Sequence, residues 1–420
     1  MKSRIAAFSK AGHLPTLLSA FLYFDVCFAI WVLNGAMAPF ISEQFHLSPA
    51  QKGLMVSVPI MAGALMRFPL GVLSEYIGRK SAAIVEMSLT MAALLYGWLF
   101  VNTYAQVLVM GVLLGIAGAS FGVALSLGSS SYPPEYKGLA MGIAGAGNSG
   151  TILATLLGPP LAQRYGWNAV YGLAIIPMLI ALIVLSVFAR EPVHQEKKKL
   201  SDYLSVLIDK DAWTFNLIYV ITFGGFIGLI NFLPTFFYDQ FAVSKVSAGR
   251  FATVVVLMGS SARVLGGYFA DTYGGLKTLK TVFFIVLAGF IACAFLPGIY
   301  GCTAIFLLIF AGLGAGNGSV FQLVPLRFPL ATAVISSLIG EIGGLGGAFI
   351  PNAMGISKQT TGSFTPGFFS FAVLTIFVFV VFQVRQRAWV LNWIDADGKA
   401  LRAKEGRVLM YPVIPVMEIY

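Results

Sequence analysis

Charge is what this sequence lacks. Only 10% of its 420 residues are Asp, Glu, Lys or Arg, against about 25% in a water-soluble domain. The hydrophobic share is 58% and the mean hydropathy +0.85. A chain this apolar cannot cover its surface with polar groups, which excludes a soluble domain and implies a chain that faces lipid. Cysteine and histidine are as scarce, with three of each. Cys27, Cys293 and Cys302 fall in or beside apolar runs with no metal-ligand spacing. That argues against a disulfide framework or a zinc site and leaves core thiols. His13, His46 and His194 lie in terminal or loop regions, so no His-based catalytic cluster suggests itself. No nucleotide loop or catalytic constellation is visible either, and the reading is of a protein that is not an enzyme and uses no metal and no cofactor. A leader peptide is also missing from the pattern. Basic residues precede the first apolar run, but no small-residue cleavage site follows, and the run exceeds a signal peptide's apolar core, so a retained first helix is expected.

What is present is glycine, 46 copies, a residue that lets membrane helices approach closely. Runs of roughly 20 apolar residues, the length that crosses a bilayer, occur near 16–41, 52–77, 81–101, 106–130, 138–164, 168–189, 212–238, 248–272, 278–297, 302–325, 331–356 and 366–387. The expected fold is an all-α integral membrane protein of twelve transmembrane helices. Its expected parts are a six-helix bundle over 1–189, a linker over 190–211, a second six-helix bundle over 212–387 and a tail over 388–420. The net charge of +10 sits in short loops and tails, which argues against nucleic acid as a partner. Lys and Arg gather on the side of both termini, as at Arg79, Lys80, Lys137, Lys197, Lys198, Lys199 and Arg385. The positive-inside rule therefore places both termini in the cytoplasm, in a multi-pass protein of the cell's inner membrane.

The two halves repeat at an offset of 196 residues. Gly63, Arg67, Gly71, Glu75 and Gly78 map onto Gly259, Arg263, Gly267, Asp271 and Gly274. Gly118, Gly122, Pro133, Gly147 and Gly150 map onto Gly314, Gly318, Pro329, Gly343 and Gly346. Parallel six-helix repeats are the architecture of major facilitator transporters, with a site between the halves at the midplane. The stretch GVLSEYIGRK over 71–80, and its weaker echo GGYFADTYGG over 266–275, resemble that superfamily's loop motif after the second helix. Glu75, Arg79 and Asp271 are the expected gating residues, able to pair across the gap between the halves and hold one conformation.

Arg67 and Arg263 each lie eleven residues before the glycine where the chain leaves the membrane. At 1.5 Å per residue that is about 16 Å, half of a core about 30 Å thick. A charge at that depth costs at least about 2.5–3.5 kcal/mol. Neither helix carries a nearby acid in its own apolar stretch. Asp25 and Glu341 lie at similar depth and offer one answer, an internal ion pair. The other answer is an anionic substrate, since two planar guanidinium forks suit a small planar oxyanion.

Span five reads MGIAGAGNSGTILATLLGPP and span eleven GEIGGLGGAFIPNAMG. Asn148 is a polar amide in the middle of the first run. With the paired midplane arginines, these runs resemble the signature of the nitrate/nitrite porter family within the major facilitator superfamily, over essentially the whole chain. The resemblance implies a membrane transporter for nitrate, and for nitrite as a second substrate, working by rocker-switch alternating access in nitrate assimilation, as a monomer in the lipid bilayer. It implies that Arg67, Arg263 and Asn148 bind the anion, that Tyr219, Phe223 and Phe121 line the site, and that Ser319 makes a polar contact. Gly147 and Gly346 are expected where spans five and eleven pass close to the opposite half. Coupling stays open. Asp25 and Glu341 are candidate proton carriers and tilt the reading towards proton-coupled import. Nitrate/nitrite antiport, another small anion such as formate or oxalate, and an anion-sensing receptor signalling through the tail are the alternatives.

Overall fold

The computed structural model describes residues 8–191, 208–328, 332–390 and 392–400. Most of the expected linker and the tail beyond residue 400 lie outside these residues. Among the described residues the architecture is helical, and eleven helices are long and apolar enough to cross a membrane: Leu14–Gln44, Pro49–Ile77, Arg79–Leu99, Tyr104–Ser129, Leu139–Tyr165, Trp167–Phe188, Lys210–Phe241, Lys245–Tyr273, Gly275–Ala294, Ile299–Arg327 and Thr365–Trp389. They are spans one to ten and span twelve. Span eleven differs from the expected single helix. It is two helices in series, Thr332–Gly347 and Phe349–Thr361. Pro351 lacks the N–H that would bond the Gly347 carbonyl, and the glycine run before it favours helix weakly, so the helix breaks at Ala348. The three cysteines are free and buried.

The repeat is visible in the backbone. Gly78 and Gly274 share one conformation, φ +91° and ψ 154° against φ +99° and ψ 141°, in a region that side chains rarely adopt. Ser48 and Ser244, again 196 apart, cap the starts of spans two and eight by accepting the N–H of Gln51 and Ser247. Both capping hydroxyls satisfy donors that a helix start would otherwise leave unpaired. Packing follows the same rule. Span two lies on span four as span eight lies on span ten, and span three on span six as span nine on span twelve. Between the halves, span two packs on span eleven, span five on span eight, and span one on span seven.

The halves meet at one end. Lys52 grips Asp239 at 2.8 Å and 2.9 Å, and Lys245 pairs with Glu43. The Ala50 N–H donates to Gln359, Ser57 Oγ to the Ala348 carbonyl, and Thr253 Oγ1 to Thr155. These contacts all lie on the side of the arginines away from the termini. On the termini side no hydrogen bond or ion pair joins described residues of the two halves. There Gly71, Gly122, Gly142 and Gly267 have open space where a side chain would begin. Among the described residues the halves are closed at the far end and open towards the termini.

Candidate functional site

Irregular turns interrupt spans four, five and seven at mid-depth: three-ten turns at Ile116–Ala119 and Ala146–Ser149, and a π turn at Val220–Gly224. Such turns shift the backbone hydrogen-bond register and re-aim side chains. Around them the two arginines come together. Phe121 of span four lies against both, its ring centre 5.6 Å from the Arg67 guanidinium carbon and 5.7 Å from that of Arg263. Arg67 also faces Trp31 at 5.4 Å and Phe223 at 5.1 Å. Rings around a buried guanidinium offset part of its lost hydration through cation–π attraction.

Arg67 is 5% exposed. Its Nε donates to the Gly118 carbonyl at 3.1 Å, and Nη1 donates to the Gly340 carbonyl across the seam between the halves. Its Nη2 has no partner, and neither has the buried Nη1 of Arg263. Asn148 is 2% exposed with both amide atoms unpaired. Its three-ten turn packs on span eight, which carries Arg263. Tyr219 stacks on Phe223 at 5.1 Å and meets the edge of Phe321 at 5.4 Å. Its hydroxyl lies beside Arg263 in no well-formed hydrogen bond. A buried polar atom without a partner costs about 1–3 kcal/mol, and more if charged. The structure places such atoms on four of the residues expected to bind the anion.

Among the described residues no ion pair joins Arg67 or Arg263 to a carboxylate. Asp25 is turned to span five, where it accepts from Ser149 Oγ at 2.6 Å. Glu341 is half-buried within electrostatic reach of Arg67. Ser319 faces away from the seam, its hydroxyl donated to the Ala315 and Gly266 carbonyls at 2.8 Å and 3.3 Å.

Gly147 and Gly346 turn the face that would carry a side chain to their own halves, although the turn that holds Gly147 packs on span eight. A side chain at Gly147 would meet Phe24 and Asp25 of span one, and one at Gly346 would meet Val220 of span seven. The expectation is corrected for a packing reason: these glycines seat spans five and eleven within their own bundles. Gly343, Gly344 and Gly347 show the division within one run. Gly344 faces Ala64 and Arg67 across the seam, Gly343 lies on Tyr219, and Gly347 reaches both Ile227 and Ile60.

The gating motif stands apart from the site. Glu191, at the end of span six, caps the start of span three by accepting the N–H groups of Arg79 at 2.6 Å and Lys80 at 2.8 Å. In the second half the Asp397 carbonyl accepts from Leu276 at 3.0 Å and Lys277 at 3.3 Å. A side chain at Gly78 or Gly274 would collide with these caps. Arg79 donates to the Ser126 carbonyl within its own half, and Asp271 is exposed.

Sequence reasoning missed Trp31 and Phe321. Phe321 sits two residues beyond Ser319 in the same GAGNGSVFQ run, but one phenylalanine among 35 carries no signal of its own.

Two repeated helical halves around a polar seam, joined at one end, fit a class: membrane carriers. The chain belongs to the Major Facilitator Superfamily, whose family model matches residues 19–351. Its curated relatives bear out the resemblance to nitrate/nitrite porters. It is 29% identical over 360 residues to a "Nitrite extrusion protein" of Bacillus subtilis, covering 84% of this chain and 90% of that one. Identity is also 29%, over 386 residues, to a "Probable nitrate transporter NarT" of Staphylococcus haemolyticus, covering 89% and 96%. A "Probable nitrate/nitrite antiporter NarK1" of Thermus thermophilus is 27% identical over 387 residues, covering 84% and 87%. Among solved structures, a D-xylose-proton symporter shares the fold at a TM-score of 0.73 and 14% identity, covering 88% of this chain and 96% of that one.

Proposed function

We propose that the protein carries nitrate, with nitrite as a second substrate, across the cell's inner membrane by alternating access, both termini being cytoplasmic. The observation that supports this most is the set of unpaired polar atoms on Arg67, Arg263, Asn148 and Tyr219, at a seam where no carboxylate pairs with either arginine. A flat monovalent oxyanion supplies the missing acceptors at its edge, while Phe121 and Phe223 cover its faces. Binding draws the arginine of each half onto one anion and so favours closing the open side. In import the anion enters while the far end is open and leaves through the termini side, the side open in this conformation.

Coupling to protons is the finer reading. A negative ion moving inward against a negative-inside potential costs about 2.3 kcal/mol per charge per 100 mV. A co-transported proton offsets that work. Glu341, within reach of Arg67, is the better placed carrier, because Asp25 is already engaged by Ser149 on span five. The same engagement of Asp25 favours the second reading, nitrate/nitrite antiport, in which no side chain needs to titrate.

The deciding assay uses proteoliposomes of the purified protein, with nitrate uptake driven by an inward pH gradient or by internal nitrite. Gradient-driven uptake that is lost in Glu341→Gln while exchange survives supports symport through Glu341. Uptake that ignores the gradient and requires internal nitrite replaces symport with antiport. No nitrate movement under either condition overturns the substrate assignment.

A further inference from the structure

Glu86 of span three is a buried acid that plays no part in the site described above. It is 1% exposed, and no charged side chain acts on it. Its Oε2 accepts the Tyr23 hydroxyl of span one, the backbone N–H of Ser120 on span four lies within reach, and its Oε1 has no partner. The titratable groups nearby are Tyr23 and Cys27 on span one; Tyr171 on span six is engaged with Asn34. None of them supplies a positive charge. An ionised carboxylate at such a place would pay several kcal/mol for its lost hydration, with no cation to offset it.

Tyr23, which Glu86 binds, and Ser120, which lies within its reach, both adjoin the wall of the anion site. Tyr23 precedes Phe24, and Ser120 precedes Phe121. The rings of Phe24 and Phe121 pack at 5.5 Å, and Phe121 is the ring beneath both arginines. The repeat sharpens the contrast. Tyr23 lies 196 residues before Tyr219, whose hydroxyl is unpaired beside Arg263. The residue 196 beyond Glu86 is Val282, which has no acceptor to offer. One tyrosine of the pair is therefore tied back by an acid, and its mate is left to face the anion.

We propose that Glu86 is a positioning residue that works as a neutral, protonated carboxylic acid. It ties spans one and four together, fixes the Phe24–Phe121 wall, and withdraws the Tyr23 hydroxyl from the seam. The idea rests on the nitrate reading for its functional consequence but not for its chemistry, so the test has two readouts. The first needs no substrate. An infrared carbonyl component of a protonated carboxylic acid should be present in the purified protein at about neutral pH, lost in Glu86→Gln and shifted in Tyr23→Phe. The second is nitrate binding. Glu86→Gln, which keeps a neutral acceptor, should bind like wild type. Glu86→Val and Tyr23→Phe should each bind about five- to tenfold more weakly, the worth of one buried hydrogen bond, and the double variant should be little worse than either alone.

A missing band, or Glu86→Gln as impaired as Glu86→Val, overturns the neutral acid. Wild-type affinity in both Glu86→Val and Tyr23→Phe overturns the positioning role. If wild-type protein shows the band and its shift in Tyr23→Phe but binds no nitrate, the bond between Glu86 and Tyr23 stands and the substrate assignment fails.

Discussion

At the scale of single residues, the site shows what each side chain is missing. Arg67 has spent two of its nitrogens on the Gly118 and Gly340 carbonyls and keeps Nη2 in reserve. Lysine keeps the charge but not the fork that makes three contacts at once. Arg67→Lys and Arg263→Lys should therefore each weaken nitrate binding by about ten- to a hundredfold, the range for charge-assisted hydrogen bonds. Isothermal titration of purified variants checks this, and wild-type affinity in either would count against direct contact. Tyr219 gives a two-sided prediction. Its hydroxyl is buried and makes no well-formed hydrogen bond, so Tyr219→Phe removes an unsatisfied group. The empty variant should melt at a higher temperature than wild type while binding nitrate more weakly, as a stability–function trade-off demands. A lower melting temperature with unchanged binding would mean that the hydroxyl serves the fold instead. The arginines were legible in the sequence because a midplane charge without a neighbouring acid stands out. Trp31 and Phe321 were not, because an aromatic in an apolar run looks the same whether it faces lipid, core or cargo.

At the scale of elements, close packing decides which glycines matter. A side chain at Gly150 would begin 1.7 Å from the Asp25 carbonyl of span one, so the two backbones there are nearly in contact. Gly150→Ala forces spans one and five apart and should leave little folded protein, since even modest overpacking costs about 1–3 kcal/mol. Gly142→Ala, eight residues earlier on the same span and facing open space, should fold like wild type. Fluorescence-detected size exclusion of the two variants makes the comparison, and equal behaviour would show that span one can yield. The repeat offset made the span pairs readable before any coordinates. What it left hidden was rotation about each helix axis. Gly147 and Gly346 belong to the right motifs yet face inward to their own bundles, because a glycine run has no side chains from which to read a facing direction. The break at Ala348 was likewise masked, because the run around it is long enough to cross as one helix even with Pro351 in it.

At the scale of the whole molecule, the far end is closed by two ion pairs arranged with the repeat. Glu43 and Asp239 are 196 residues apart, and each pairs with a lysine near the start of the opposite half's second span. The pairs are not equal. Lys52 and Asp239 are 15% and 14% exposed, whereas Glu43 is 58% exposed and open to screening. An exposed pair is worth about 0–1 kcal/mol, so Asp239→Asn should shift the population towards the opposite face more than Glu43→Gln. Distances between spin labels at the outer ends of spans one and seven would report the shift, and equal effects would place the hold elsewhere. The lock was unreadable from sequence alone, since lysines and acids near loop ends look like ordinary solvated charge until the halves are docked.

Both arginines sit at the depth where the halves pivot, and the lock residues are paired as neutral couples. Rocking therefore sweeps little of the protein's own charge through the membrane field. The electrical current of a turnover then equals the charge of its passengers. Nitrate alone gives one negative charge per cycle, nitrate with one proton is electrically silent, and nitrate with two protons reverses the sign. Recorded on a solid-supported membrane, the polarity of the current counts the protons.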